Sequence, residues 1–135
     1  PATPVLVQQI PSLSEINKKD FKVLIAEDND SNFSLVQHIL FKYNLTRVKN
    51  GVEALEKLRN EKYDIILMDM KMPIMGGLEA VRKIREFDTK VPIIALTAYA
   101  FDSDRTSAME AGCNAFLTKP LNKSQLLGLF STKYQ

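Results

Sequence analysis

The chain has 135 residues, of which 45% are apolar and 25% charged, and its formal net charge is +2. These values are ordinary for one globular domain. With so small a net charge, we expect no general binding to nucleic acid or to an anionic membrane. No apolar run approaches the length of a membrane-spanning helix, and the single cysteine, Cys113, excludes an internal disulfide and fits a reducing compartment.

The first 20 residues differ from the rest of the chain. They carry Pro1, Pro4 and Pro11 and show no regular spacing of apolar residues. We expect residues 1–20 to be a linker or the tail of a preceding domain, and residues 21–135 to form the folded domain.

From Phe21 onward, short apolar strand segments alternate with segments of helical spacing. Gly112 is a natural C-cap for the fourth helix and Asn122 an N-cap for the last. In chain order we expect a strand at 21–28, a helix at 31–43, a strand at 46–48, a helix at 52–59, a strand at 63–68, a helix at 78–87, a strand at 91–98, a helix at 102–111, a strand at 115–118 and a helix from 122 to about 130.

Such an alternation predicts an α/β fold with a parallel sheet covered on both faces. Right-handed crossovers and five strand–helix units favour a doubly wound three-layer sandwich. A TIM barrel would need eight units and about 250 residues. A dinucleotide-binding Rossmann domain would need a glycine-rich turn after the first strand, where this chain reads EDNDSN.

Polar residues stand at the C-terminal ends of four of the expected strands. They are Glu27 and Asp28 at the end of the first strand, Asp69 after the third, Thr97 at the end of the fourth and Lys119 after the fifth. Open α/β sheets bind ligands at this edge, where the strand order reverses. If the order is 2-1-3-4-5, an assumption by analogy, the first and third strands are neighbours and their carboxylates are close together.

The chemistry of this set favours phosphoryl transfer. Three crowded carboxylates repel one another unless a cation intervenes, and a hard oxygen-seeking ion such as Mg²⁺ would bind them and still keep several waters. Lys119 adds a positive charge and Thr97 a hydroxyl. Cation, ammonium and hydroxyl together suit a phosphoryl group carried by an aspartate, a side chain that is a known nucleophile.

Four motifs resemble those of a known family. VLIAEDNDSN, DIILMDMKMPIMGGLEA, PIIALTA and AFLTKPL are similar to the motifs of receiver domains from two-component response regulators and hybrid histidine kinases. The resemblance covers Phe21 to about Phe130. It implies a flavodoxin-like three-layer sandwich with a five-stranded parallel sheet in the order 2-1-3-4-5.

The resemblance also implies roles for the acidic residues. Asp69 matches the phosphoacceptor, which takes a phosphoryl group from a histidine of a partner. Asp28 matches a direct Mg²⁺ ligand, and Glu27 a second acidic position that often acts through water. Asp69 itself and the backbone carbonyl of Lys71 complete the implied metal site.

Further roles follow from the same resemblance. Thr97 matches a hydroxyl that turns toward the phosphoryl group, and the backbone N–H of Ala98 would contact that group too. Lys119 matches the lysine that pairs with a phosphoryl oxygen, and the peptide bond between Lys119 and Pro120 is expected to be cis.

Three positions depart from the usual family pattern or carry weaker expectations. Lys71 overlooks the site and is expected to influence dephosphorylation, with a solvated loop lysine as the equal alternative. Tyr99 is expected to shield the pocket or touch partners. Phe116 stands where the family often has a switch tyrosine, and it could equally be a core residue.

The resemblance implies a histidine kinase or a histidine phosphotransfer domain as partner and a cytoplasmic setting, on the cytoplasmic face of the membrane for a membrane-bound kinase. No contact with nucleic acid, and no direct contact of this domain with a membrane, is expected. The domain would catalyse only its own phosphorylation and dephosphorylation. We expect it to be the C-terminal receiver of a hybrid sensor histidine kinase, with kinase domains in the same chain. The alternative is a stand-alone single-domain response regulator.

Two other classes of function fit the sequence less well. A haloacid-dehalogenase-type phosphatase needs a second aspartate where this chain has Lys71. A flavodoxin-like cofactor binder needs a phosphate loop rich in Ser, Thr and Gly after the first strand. This chain has Glu27, Asp28 and Asp30 there, which would repel the flavin phosphate.

Overall fold

The structure is a computed structural model that describes residues 18–98 and 102–132. Strands and helices alternate throughout this part of the chain. A short 3₁₀ turn at Lys18–Asp20 comes first, where the sequence predicted a linker. The elements that follow are β1 (Lys22–Ala26), α1 (Asp30–Ile39), β2 (Asn44–Val48), α2 (Gly51–Asn60), β3 (Ile65–Asp69), α3 (Gly77–Phe87), β4 (Ile93–Thr97), α4 (Asp102–Ala111), β5 (Ala115–Thr118) and α5 (Lys123–Thr132).

The strands form one parallel sheet in the order β2-β1-β3-β4-β5. The doubly wound fold and the strand order that the resemblance implied are therefore confirmed. Because β1 lies between β2 and β3, the chain changes direction across the sheet at the β1–β3 pair, where Ala26 is opposite Met68. This reversal opens a crevice at the C-terminal edge of the sheet.

Alternate residues of each central strand pack on opposite faces of the sheet. On one face, Val23 and Ile25 of β1 join a cluster with buried residues of α1 and α5. On the other face, Leu24 and Ala26 pack with residues of α2, α3 and α4. Since both faces are covered, β3 and β4 are buried along their whole length, which explains their continuous apolar sequence.

The boundary between α1 and β2 differs from the prediction. The apolar spacing extended the helix to Tyr43, but α1 ends at Ile39 and β2 begins at Asn44. The Asn44 N–H donates to the carbonyl of Phe21, which begins the pairing of β2 with β1. Tyr43 is buried all the same, because its ring packs edge-on against Phe21 and Phe130 at centroid distances of 5.6 and 5.1 Å.

Side-chain caps and a glycine set three other helix ends. Asn50 is the N-cap of α2 and accepts from the Glu53 N–H at 2.9 Å. Gly112 has a φ of +123° after α4, and Asn122 accepts from the Gln125 N–H at 3.0 Å before α5, so both predicted caps are confirmed. Among the described residues, no helix is long and apolar enough to cross a membrane.

Candidate functional site

The crevice at the C-terminal edge of the sheet collects the polar residues that end the strands. Glu27 and Asp28 directly follow β1, Asp69 is the last residue of β3, and Lys119 follows β5. One carboxylate oxygen from each of Glu27, Asp28 and Asp69 lies within 4.8 Å of the others. Asp28 is exposed, whereas the other two are buried. The open side of the cluster is therefore the side on which Asp28 lies.

Lys119 bridges the two buried carboxylates. Its Nζ lies 2.9 Å from Glu27 Oε1 and 3.0 Å from Asp69 Oδ2. Burial acts to lower the pKa of Lys119, but contact with Glu27 and Asp69 and their negative charge outweigh it, so the pKa is raised. Lys119 is therefore a fixed positive charge inside the site.

Asp69 is only 4% exposed, and both of its carboxylate oxygens have partners. Oδ1 accepts from the backbone N–H of Lys71 at 3.1 Å, and Oδ2 pairs with Lys119. Burial raises the pKa of Asp69 to about 6, against the lowering effect of the Lys71 N–H and of Lys119, and the neighbouring Glu27 raises it further. At neutral pH the carboxylate is ionised, although its burial makes the ionised form less favourable than it would be in water.

The loop after Asp69 turns sharply around Pro73–Met75. The Met75 N–H donates to the Pro73 carbonyl at 2.7 Å, and Ile74 between them has a φ of 69°. A positive φ is strained for a β-branched residue, and the Ile74 side chain is 82% exposed. The strain is confined to the loop that leads away from Asp69.

Gly77, the first residue of α3, packs directly against the end of β3. A Cβ at this position would overlap the carbonyl oxygen of Asp69 and would lie 2.9 Å from the Cα of Met70. The Gly77 N–H donates to the Met70 carbonyl at 3.1 Å. This close approach fixes the backbone that carries Asp69.

The donor set fits a hard divalent cation. Three carboxylates face one ammonium, so negative charge is in excess. Glu27 Oε1 is buried and lies close to Lys119, yet it makes no hydrogen bond of good geometry. A buried oxygen without such a bond is available as a metal ligand, and carboxylate oxygens are what Mg²⁺ prefers.

Residues 23–130 match the family described as the response regulator receiver domain. The chain belongs to this family. It is a receiver domain of two-component signalling, as its motifs implied.

Two relatives of the receiver domain are much longer proteins. "Hybrid signal transduction histidine kinase I" of Dictyostelium discoideum is 40% identical over 123 residues, which cover 83% of this chain and 7% of that protein. "Transcription factor SKN7" of Candida albicans is 38% identical over 132 residues, which cover 96% of this chain and 23% of that protein. The chain thus spans less than a quarter of the length of either protein.

A solved structure is similar over nearly its whole length. It is the receiver domain of the sensor histidine kinase PA1611 from Pseudomonas aeruginosa PAO1, with a magnesium ion coordinated in its active site cleft. The TM-score is 0.75 at 37% sequence identity, and the match covers 80% of this chain and 92% of that chain.

Four more of the predicted residues end or follow strands at the same edge of the sheet: Lys71, Thr97, Ala98 and Pro120. Thr97 is buried at the end of β4, and its carbonyl accepts from the Lys119 N–H at 2.7 Å. Ala98 and the Lys71 side chain are exposed. The bond from Lys119 to Pro120 is cis, as expected. Tyr99 lies outside the described residues.

Phe116 packs against the core cluster that includes α2, α3 and α4, and the guanidinium of Arg105 lies 5.4 Å from its ring centroid. It is only partly buried. Both predicted roles, a core residue and a gating ring, therefore remain compatible with its position.

Arg47 of β2 is a neighbour of the site that no motif or spacing in the sequence indicated. Its Nε donates to the backbone carbonyl of Glu27 at 3.0 Å, and its Nη2 lies 2.8 Å from Asp30 Oδ1. The two contacts join Arg47 to Asp30 and Glu27, which lie 17 and 20 positions earlier in the sequence. Only the assumed strand order, which places β2 beside β1, could have signalled it.

Proposed function

We propose that this receiver domain accepts a phosphoryl group from a histidine of a partner protein onto Asp69, with Mg²⁺ bound beside it. The observation that carries the proposal is the contact of Lys119 with both Glu27 and Asp69 in a cluster of three carboxylates. The magnesium ion in the similar PA1611 receiver domain supports the metal assignment. Glu27, Asp28, Asp69 and the carbonyl of Lys71 would hold the ion.

The chain's own residues orient and neutralise the reacting groups. An oxygen of Asp69 forms a bond to phosphorus while the bond from phosphorus to the imidazole nitrogen breaks and its electron pair leaves with the imidazole. A bound Mg²⁺ would supply positive charge that offsets the charge on the phosphoryl oxygens. The Lys71 N–H, which already donates to Asp69, orients the carboxylate for this attack.

Lys119 and Thr97 respond to the product. The new phosphoryl oxygens attract the Lys119 ammonium, and the hydroxyl of Thr97 and the N–H of Ala98 donate to the same group. Helix α4, which follows β4 in the sequence, then shifts its population between two arrangements. The phosphorylation state at Asp69 would in this way reach the surface that partners read.

The biological setting we propose is a hybrid sensor histidine kinase, in which this domain follows the kinase and works on the cytoplasmic side. The 40% identity to a hybrid kinase supports this context. The partner is a histidine kinase or a histidine phosphotransfer domain that docks beside α1, where Leu35 and His38 are exposed. The gene that encodes this chain tests the context, because an open reading frame without kinase domains would contradict it.

A small phosphodonor tests the phosphoacceptor directly. The protein is incubated with acetyl phosphate and Mg²⁺, and its intact mass is measured. We expect one added phosphoryl group that is lost in Asp69→Asn and without Mg²⁺. Asp64→Asn is the matched control because Asp64 immediately precedes β3 at the opposite end of the same strand. Phosphorylation that survives in Asp69→Asn would overturn the assignment.

A further inference from the structure

Arg47 contacts both flanks of Asp28, the exposed carboxylate of the cluster. On one side its Nε donates to the carbonyl of Glu27 at 3.0 Å. On the other side its Nη2 lies 2.8 Å from Asp30 Oδ1, and its guanidinium lies 4.6 Å from the ring centroid of Phe33 in α1. One side chain from the neighbouring strand therefore spans the whole connection from β1 to α1.

Other contacts also hold this connection, among them the ion pair of Lys119 with Glu27. The Glu27 N–H donates to the Val48 carbonyl, and the Asn29 N–H donates to Glu27 Oε2 at 3.1 Å. Asn29 in turn caps α1 by accepting from the Asn32 N–H. Arg47 adds a hydrogen bond to the carbonyl of Glu27, which belongs to the peptide group between Glu27 and Asp28. The orientation of that peptide group sets the direction in which the Asp28 side chain leaves the backbone.

We propose that Arg47 is a positioning residue for the divalent cation. It holds the segment from Glu27 to Asp30 so that the carboxylates of Glu27 and Asp28 face Asp69. This inference rests on the proposed function, because it takes the three carboxylates as the Mg²⁺ ligands. Residues that orient metal ligands commonly change metal affinity by about 10- to 100-fold when they are replaced.

Charge and position act in opposite directions at Arg47. The guanidinium is a positive charge close to the cluster, so by charge alone its removal should tighten the binding of Mg²⁺. Loss of positioning should weaken that binding. The sign of the change in affinity therefore separates the two effects. Arg47→Lys isolates position further, because it keeps the charge but cannot make both contacts.

The experiment measures the dissociation constant for Mg²⁺ by titrating the amide NMR spectrum of the protein with MgCl₂. We expect binding about tenfold weaker in Arg47→Lys and Arg47→Met. Arg59→Met is the matched control, because Arg59 also lies against a phenylalanine, Phe87, at 5.6 Å from the ring centroid, but belongs to α2 and is exposed. The control should bind Mg²⁺ as the wild type does.

A second measurement distinguishes positioning from a general loss of structure. In phosphorylation by acetyl phosphate, the Arg47 variants should need more Mg²⁺ for half-maximal rate, while the maximal rate at saturating Mg²⁺ stays near that of the wild type. Mg²⁺ binding is measured at a temperature at which each variant is folded. If Arg47→Met does not fold, Arg47→Lys alone tests the inference. Affinity that is unchanged or tighter in Arg47→Lys would overturn the inference. A wild type that fails to bind Mg²⁺ would instead overturn the proposed function.

Discussion

Lys119 is the residue whose charge holds the metal-free site together. It pairs with two buried carboxylates, and the side chain itself is 15% exposed. Removing one partner of a buried ion pair leaves an uncompensated charge and costs several kcal/mol. Lys119→Met should therefore lower the free energy of unfolding in EDTA at pH 7 by about 2–4 kcal/mol, measured by urea denaturation.

Lys22→Met is the control for that experiment. Lys22 forms an ion pair with Glu61 at 3.1 Å in which both side chains are substantially exposed, and exposed pairs contribute at most about 1 kcal/mol. Added Mg²⁺ should restore part of the stability of Lys119→Met, because the cation takes over the role of the missing charge. Equal losses in the two variants would contradict this account of Lys119.

The raised pKa of Asp69 makes the stability of the metal-free protein depend on pH. The pKa is about 6 in the folded protein against an ordinary value of 3.8, so the folded state binds the proton more tightly. Protonation then favours folding, and this carboxyl lowers the stability progressively as the pH rises from about 4 to 6. Its destabilising effect is complete above the folded pKa.

Asp69→Asn cannot ionise and should escape this effect. In EDTA it should be about 2 kcal/mol more stable than the wild type at pH 7.5, and nearly equal to it at pH 4. Urea denaturation at both pH values measures the difference. Asp20→Asn, at an exposed position, should change little at either pH. A gain of the same size at pH 4 and pH 7.5 would show that ionisation of Asp69 is not the cause.

The sequence predicted the carboxylates of the site but not the residue that holds their backbone in place. Glu27, Asp28 and Asp69 could be predicted because each directly follows or ends an apolar strand, and the ends of parallel strands meet at one edge. Arg47 could not be predicted in this way, because its side chain acts across the sheet on a backbone carbonyl. No local pattern records such a contact.

Two glycines of the helices show how the local surroundings decide the effect of the same substitution. Gly77 has no room for a Cβ beside the backbone of Asp69 and Met70, whereas an added Cβ at Gly128 in α5 would meet nothing within 4 Å. Gly77→Ala should therefore destabilise the protein by about 2–4 kcal/mol through overlap. Gly128→Ala should stabilise it by about 0.5–1 kcal/mol through helix propensity and the entropy of the unfolded chain.

The pair of variants is its own control, because the chemical change is identical. Thermal or urea denaturation measures both effects, and the yield of phosphorylated protein should fall only for Gly77→Ala. A destabilised Gly128→Ala together with an unaffected Gly77→Ala would contradict the packing described at the end of β3.

The elements themselves were predictable wherever apolar spacing and caps agreed. The core strands β3 and β4 and the caps Gly112 and Asn122 were found in this way. The end of α1 was not, because Tyr43 continues the helical spacing although its ring is buried by tertiary contact with Phe21 and Phe130. Burial outside the helix produced the same sequence pattern as burial on the helix.

For the molecule as a whole, composition and periodicity predicted the layers but not the order of the strands. Five alternating units are compatible with several arrangements, and the order 2-1-3-4-5 came from the family resemblance. The order matters because it brings the end of β1 beside the end of β3. The site is therefore a property of the topology, and Mg²⁺ binding should be coupled to the stability of the entire fold.

That coupling predicts how Mg²⁺ changes the stability of the wild type. Because the ion binds ionised carboxylates, it competes with the proton on Asp69, whose pKa is about 6 without metal. At pH 7.5, MgCl₂ at ten to a hundred times its dissociation constant should raise the free energy of unfolding by about 1.4–2.7 kcal/mol. At pH 4.5 the gain should be small.

The test compares urea denaturation with MgCl₂ against NaCl of the same ionic strength, which controls for screening. The metal-free protein loses stability as Asp69 ionises. Stabilisation by Mg²⁺ increases over the same pH range, so the ion should reduce the pH dependence of the free energy of unfolding. Asp69→Asn should lose most of the response to Mg²⁺. A response that is equal at both pH values, or that NaCl reproduces, would mean that Mg²⁺ acts outside the carboxylate cluster.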